Sequence, residues 1–253
     1  MLRIIDARTG EPADAAPARR GLTRVEAHAP GSDETHLRVL LVADLLVRAL
    51  ELGGTPVWAL LTGGHRQAEL RARATALGIR PFEDSPDVGS GLGEAQVVHV
   101  AAEGVTTPDG VRLAVAPVRS GPLHPADPAD PAVPADLVDP ADPAVLRLAL
   151  LARHHSAVVR LDEAALEEAR ATLARWRTAV AEWARHPSRP VPDDVRGRLR
   201  DAWEDDLDVP AVLQVLRRVE SDPALPDGAR FETCAYADRL LGLDLTRDLG
   251  TSS

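Results

Sequence analysis

Residues 121–141 read GPLHPADPADPAVPADLVDPA, a repeat of proline, alanine and aspartate with too few large apolar side chains to build a core. Whatever folds must therefore fold on either side of this segment, and the two sides are written in different periods. The expectation is an α/β domain over residues 1–120, a Pro/Ala/Asp-rich linker over 121–141, and an all-α helical bundle over 142–253.

In the first part, Arg24-Val25-Glu26-Ala27-His28 alternates as a strand does, and Pro30-Gly31-Ser32-Asp33 supplies turn residues and an N-cap candidate. Over residues 35–52 the apolar positions Leu40, Leu41, Leu45, Val47 and Leu50 repeat at helical spacing until Gly53-Gly54. PVWALL (56–61) reads as a buried strand, and 65–77 as a second helix stopping at Gly78. Strand, helix, strand, helix at these lengths favours a right-handed parallel βαβ arrangement, the core of a reduced Rossmann-like domain. Runs at 95–103 and 111–118 add strands joined by a Pro-Asp-Gly turn.

The last part opens with Asp142-Pro143, an N-cap followed by proline at the first helical position, ahead of AVLRLALLARHH. Asp162 begins a second helix whose Leu166, Ala169, Leu173, Trp176, Val180 and Trp183 form one core-facing stripe. Segments 193–203, 208–219 and 231–241, the last closed by Gly242, complete a bundle of four or five helices.

Composition narrows the partners. A net charge of -10 repels phosphate backbones and anionic lipid, so tRNA is not expected to bind. The N-terminal MLRIIDARTGEPAD lacks a signal pattern, and no apolar run approaches the roughly 20 residues that span a bilayer. A cytoplasmic protein with no membrane partner is expected. The single Cys234 permits neither an internal disulfide nor a multi-thiolate metal site, and its apolar neighbours suggest a buried, inert thiol. Every basic side chain other than histidine is arginine, because lysine is absent.

DPAVLRLALLARHHSAVVRLDEAALEEARATLARWRTAVA (142–181) resembles the stretch where cysteinyl-tRNA synthetases and the mycothiol-pathway cysteine ligase leave the catalytic fold for their helical domain. EDDLDVPAVLQVL (204–216) is similar to that family's acidic Asp-Asp-Leu-Asp-Thr-Pro-Ala helix, and LLGLDL from Leu240 agrees with its ending. LRIIDARTG (2–10) looks like the family's opening strand and turn, and SDETHLRVLLVADLL (32–46) like its nucleotide-binding helix. The resemblance covers both ends of the chain; where the family carries its catalytic insert and zinc site, this sequence has a strand pair and the proline-rich segment.

The resemblance implies ATP chemistry whose parts are mostly missing. The family holds ATP with a His-Ile-Gly-His-like motif at a helix N-terminus, where two imidazoles and the helix dipole stabilise phosphate charge. Here Thr35-His36-Leu37 runs straight into Arg38-Val39, without the glycine and the second histidine, so Thr35, His36 and Arg38 are a nucleotide-binding remnant. The family's Lys-Met-Ser-Lys-Ser loop is impossible without lysine; Arg112 and Arg119 are the phosphate candidates nearest its place. The family's zinc-ligating cysteine is replaced near Val25 by Glu26-Ala27, so no metal site and no tightly bound zinc are expected. His28, His65 and His99 could meet at the sheet's C-terminal edge, but their spacing is no recognised zinc pattern, and they are expected to be separate surface or satisfied histidines. Adjacent His154 and His155, taken as helical, should point about 100° apart and share no ligand. Arg66, Arg71, Arg73 and Arg80 read as a solvated helix face, and Glu204, Asp205, Asp206 and Asp208 as capping residues.

These losses imply a pseudoenzyme with no catalytic residue and no cofactor, binding an unidentified protein or small-molecule ligand. The alternative is an ATP-dependent ligase of altered specificity that forms an aminoacyl-adenylate without zinc.

Overall fold

A computed structural model describes residues 1–16, 21–64, 67–84, 94–120 and 142–250. The chain opens with an antiparallel pair, β1 (Arg3–Ile5) and β2 (Pro12–Asp14). β3 (Leu22–Ala29), α1 (Glu34–Leu52), β4 (Val57–Gly63), α2 (Gln67–Ala76), β5 (Glu83–Asp84), β6 (Glu94–Ala102) and β7 (Val111–Val115) follow. Five strands form one all-parallel sheet in the order β5-β4-β3-β6-β7, the Rossmann-like arrangement that the strand–helix alternation predicts. Val25, Ala27 and Ala29 of β3 are buried in the apolar core with α1. Strand alternation therefore sends Arg24, Glu26 and His28 to the other face.

α1 is capped by Asp33, whose side chain accepts from the His36 amide. It is buried along almost its whole length, because it lies between the sheet and the helices that follow. The expected strand at 111–118 is interrupted at Ala116-Pro117, and β8 (Val118–Ser120) leaves the main sheet. Residues 121–141, the expected linker, lie outside the described residues; after them come α3 (Pro143–Leu151), β9 (Val159–Leu161), α4 (Glu163–Trp183), α5 (Asp193–Glu204), α6 (Val209–Ser221) and α7 (Asp227–Leu241). α4, α5, α6 and α7 pack on one another, and α3 packs on α4. β8 pairs in parallel with β9, so residues from either side of 121–141 share one small sheet.

Two helix bounds differ from expectation. α3 stops at Leu151 rather than running through His155, and α7 starts at Asp227 rather than 231. The first has a visible cause: the carbonyls of Arg153 and His154, which a continuing helix would bond internally, accept from the Arg38 guanidinium. Asp208 caps α6 by accepting from Ala211, as the acidic run suggests. Asp206 instead sits at a φ of 51° and accepts from the Ile5 amide.

A buried ionic hub ties α1 to the helical part. Asp44, 1% exposed, accepts from Arg48 Nε at 2.9 Å, Arg80 Nε at 3.0 Å and Arg147 Nη2 at 3.0 Å. Burial by itself would raise the Asp44 carboxyl, but the charges of Arg147 and Arg48 and the bond from Arg80 hold it below the ordinary carboxylate range. Arg147 is fully buried and also donates to the carbonyls of Leu77 and Leu241. Gly242 ends α7 in the left-handed region at φ 60°, where a Cβ would lie 2.9 Å from Arg147 Nη2. Among the described residues no helix is long and apolar enough to cross a membrane.

Candidate functional site

The C-terminal ends of β3, β4 and β6 and the start of α1 form the edge where a parallel sheet presents ligand-binding groups. β3 ends at Ala29, and the turn through Gly31 delivers Asp33, whose Oδ1 accepts from the His36 amide at 3.0 Å and faces His36 Nδ1 at 2.7 Å. A Cβ at Gly31 would stand 2.7 Å from the His36 ring, so glycine lets the imidazole fold back over the turn. Thr35 Oγ1 accepts from the Val118 amide at 3.1 Å, and Arg73 donates to the Ser32 carbonyl and the Glu34 carboxylate. The start of α1 is thus closed by its own neighbours.

Arg38 points away from this edge. It is 1% exposed, and its Nη1 donates to the carbonyls of Ala116 at 2.9 Å and Ala157 at 2.8 Å. Nη2 donates to those of Arg153 at 3.2 Å and His154 at 2.7 Å. Burial lowers its pKa to about 10, which leaves it cationic at neutral pH. Of the two later arginines, Arg112 lies in β7 opposite His99 and donates to the Val105 carbonyl at 3.0 Å. Arg119 lies in β8 opposite Arg160, so the structure does not bring Arg112 and Arg119 to one place.

Arg119 opens on a cavity of about 500 Å³ between the β8–β9 pair and helices α3, α4 and α6. Arg153, Arg160 and Arg217 line it too, against a single acid, Glu168. Among the described residues none of these four guanidiniums has a carboxylate or carbonyl partner. Like charges placed opposite in paired strands, as Arg119 and Arg160 are, repel one another unless an anion lies between them. Sequence reading missed this group because its four members come from β8, the turn after α3, β9 and α6 and meet only around the folded cavity.

His28 and His99 are not separate, contrary to expectation. His28 Nε2 and His99 Nδ1 stand 2.9 Å apart in the buried face of β3 and β6, with Glu26 Oε2 at 3.7 Å from the same His99 nitrogen. His99 Nε2 faces the Asp109 carbonyl at 3.3 Å, and Thr62 Oγ1 donates to Glu26 Oε1 at 2.5 Å. Burial holds both imidazoles below the ordinary histidine value, against the pull of Glu26. His65 and Arg66 lie outside the described residues. His154 and His155, off the helix, are also adjacent in space, ring centroids 4.1 Å apart, and both Nε2 atoms face the Asp206 carbonyl at 3.0 Å.

Arg71 and Arg80 are engaged at the surface, Arg71 with Asp84 and Arg80 with Glu51 as well as Asp44. Cys234 is buried and its thiol is pushed up to about 12, an unreactive state.

A parallel Rossmann-like sheet has a capped helix leading out of its central strand and is continued by packed helices. No protein-family model matches the chain. Over part of its length it is related to cysteine ligases of the mycothiol type, which are class I cysteinyl-tRNA synthetase-like enzymes. It is 39% identical over 107 residues to the L-cysteine:1D-myo-inositol 2-amino-2-deoxy-alpha-D-glucopyranoside ligase of Segniliparus rotundus, a match covering 41% of this chain and 24% of that protein. The ligases of the same name from Streptomyces avermitilis and Mycobacterium tuberculosis are 42% and 37% identical over 106 residues, 40% of this chain and 25% of each relative. The chain thus matches about a quarter of the length of these curated relatives.

Proposed function

We infer that this chain is a catalytically degenerate relative of the cysteine ligases that binds a small anionic ligand without activating an amino acid. The observation that carries this reading is Arg38. It stands where the resemblance places the glycine on which adenine stacks, yet its guanidinium is buried and committed to four backbone carbonyls. The start of α1 therefore offers one imidazole, His36, already held by Asp33. Adenylation needs the α-phosphate and the leaving pyrophosphate stabilised together, and losing one preorganised donor costs about 3 kcal/mol, or roughly a hundredfold in rate. The four arginines of the cavity supply the anion-binding group; an apolar floor from α3, α4 and α6 suits a ligand with a compact non-polar body.

Cysteine-dependent exchange of pyrophosphate into ATP is expected at background, and calorimetric titration with ATP, cysteine or a non-hydrolysable cysteinyl-adenylate analogue is expected to give no saturating heat at the α1 edge. Exchange above a blank with any amino acid, lowered by His36→Ala, would replace this reading with that of an active ligase of altered specificity working without zinc.

A further inference from the structure

Glu26, His28 and His99 take no part in the ligand-binding role just proposed. We propose that they form a divalent-metal site of the two-histidine, one-carboxylate kind, for a borderline first-row cation such as zinc, cobalt or manganese.

Three atoms already converge, all within 4.8 Å of one another. They are mounted on adjacent parallel strands, with Glu26 opposite His99 in register and His28 two residues along the same face of β3. Bonds of about 2.0–2.1 Å to a tetrahedral ion place two imidazole nitrogens about 3.4 Å apart, so the 2.9 Å between His28 Nε2 and His99 Nδ1 has to open by only about half an ångström.

The hydrogen-bond pattern fixes which nitrogen is free to bind. A carbonyl oxygen only accepts, so the Asp109 carbonyl requires the proton of a neutral His99 on Nε2 and leaves the Nδ1 lone pair aimed into the cluster. Without metal, His28 Nε2 donates its proton to that lone pair. A cation takes the proton's place: His28 gives up its single ring proton from Nε2 to solvent and takes one up on Nδ1, so the ring changes tautomer with no net proton released and both rings bind as neutral donors. Outer partners are in place as well, the Asp109 carbonyl behind His99 and the Thr62 hydroxyl on Glu26 Oε1, which leaves Oε2 on the His99 side. Arg24, whose Nε lies 3.9 Å from Glu26 Oε2, is the competing cation and must yield that oxygen.

The other candidate cluster, His154, His155 and Asp206, is built the opposite way. Both Nε2 atoms face the Asp206 carbonyl and His155 Nδ1 faces the Ala114 carbonyl, so these rings are engaged with backbone acceptors and their nitrogens are not aimed at one shared point. The proposal runs against the expectation of no metal site, which rested on absent thiolates and on a histidine spacing that matches no zinc pattern; that spacing could not show that β3 and β6 bring His28 and His99 together.

The test uses the full chain stripped by chelator and gel filtration, then loaded with zinc or cobalt(II) chloride. About one metal per chain is expected, and the cobalt form should absorb in the visible as a nitrogen- and oxygen-ligated ion does. His28→Gln and Glu26→Gln should each weaken binding at least a hundredfold, and Thr62→Val, which removes only an outer partner, about 10–100-fold. His154→Gln should bind as the unaltered chain does. No stoichiometric uptake, or uptake that survives His28→Gln but is lost in His154→Gln, would overturn the proposal. If His28→Gln fails to fold by circular dichroism, Thr62→Val decides: unchanged affinity there counts against the site.

Discussion

Replacing Asp44 with alanine is expected to cost about 3–5 kcal/mol, a large share of the stability of a domain this size. The loss is not three surface ion pairs. Arg147, fully buried, would keep the carbonyls of Leu77 and Leu241 but have no counter-charge at the centre of the fold. Asp44→Asn keeps shape and some bonding and should fall between wild type and alanine. The same residue sets an acid limb. Because its native carboxyl lies below the ordinary value near about 4, the unfolded chain binds the proton first. Its contribution is therefore complete above about pH 4 and is lost as pH falls through the native value. Urea unfolding followed by tryptophan fluorescence, at neutral pH and at steps below pH 5, checks both statements. A cost under about 1 kcal/mol at pH 7 with an unchanged acid limb would show that the three arginines do not depend on Asp44.

Arg38→Met should be nearly as damaging, for a different reason. One buried carbonyl, at Ala116, and three part-buried ones, at Arg153, His154 and Ala157, would lose their donors together. An unsatisfied buried acceptor costs about 1–3 kcal/mol, so even with partial rescue by water a loss of about 3 kcal/mol or more is expected. Arg38→Lys keeps the charge but not the planar fork that reaches all four, and should recover only part of it. Amide exchange measured by mass spectrometry should accelerate first around 116–118 and 153–157. If Arg38→Met unfolds at the wild-type urea midpoint with unaltered exchange, the clamp carries no stability and the reading of Arg38 as an interior residue loses its basis.

Local chemistry made the main elements legible. The caps Asp33, Asp142, Asp162 and Asp208 and the apolar stripe from Leu166 to Trp183 are written in consecutive residues, and each marks a helix that forms. The short strands β5 and β9 carry too few residues to show a period. The groups that decide function are long-range. His28 and His99 lie 71 residues apart in sequence and Asp44 and Arg147 lie 103 apart, so no spacing rule connects them. Arg38 shows how a motif position misleads. Its sequence neighbours place it beside a phosphate, but its environment is decided by the turn after α3, which sequence reading extended as helix through His155.

The β8–β9 pairing joins strands encoded on opposite sides of residues 121–141, and the Asp44–Arg147 and Arg38 contacts cross the same divide. The peptide connection is then one tie among several, and the two stretches are complementary fragments. Chains covering 1–120 and 142–253, expressed separately and mixed, should associate into a complex with the circular dichroism of the intact protein, with micromolar or tighter affinity by calorimetry. Fragments that stay apart would show that tethering supplies the effective concentration the seam needs.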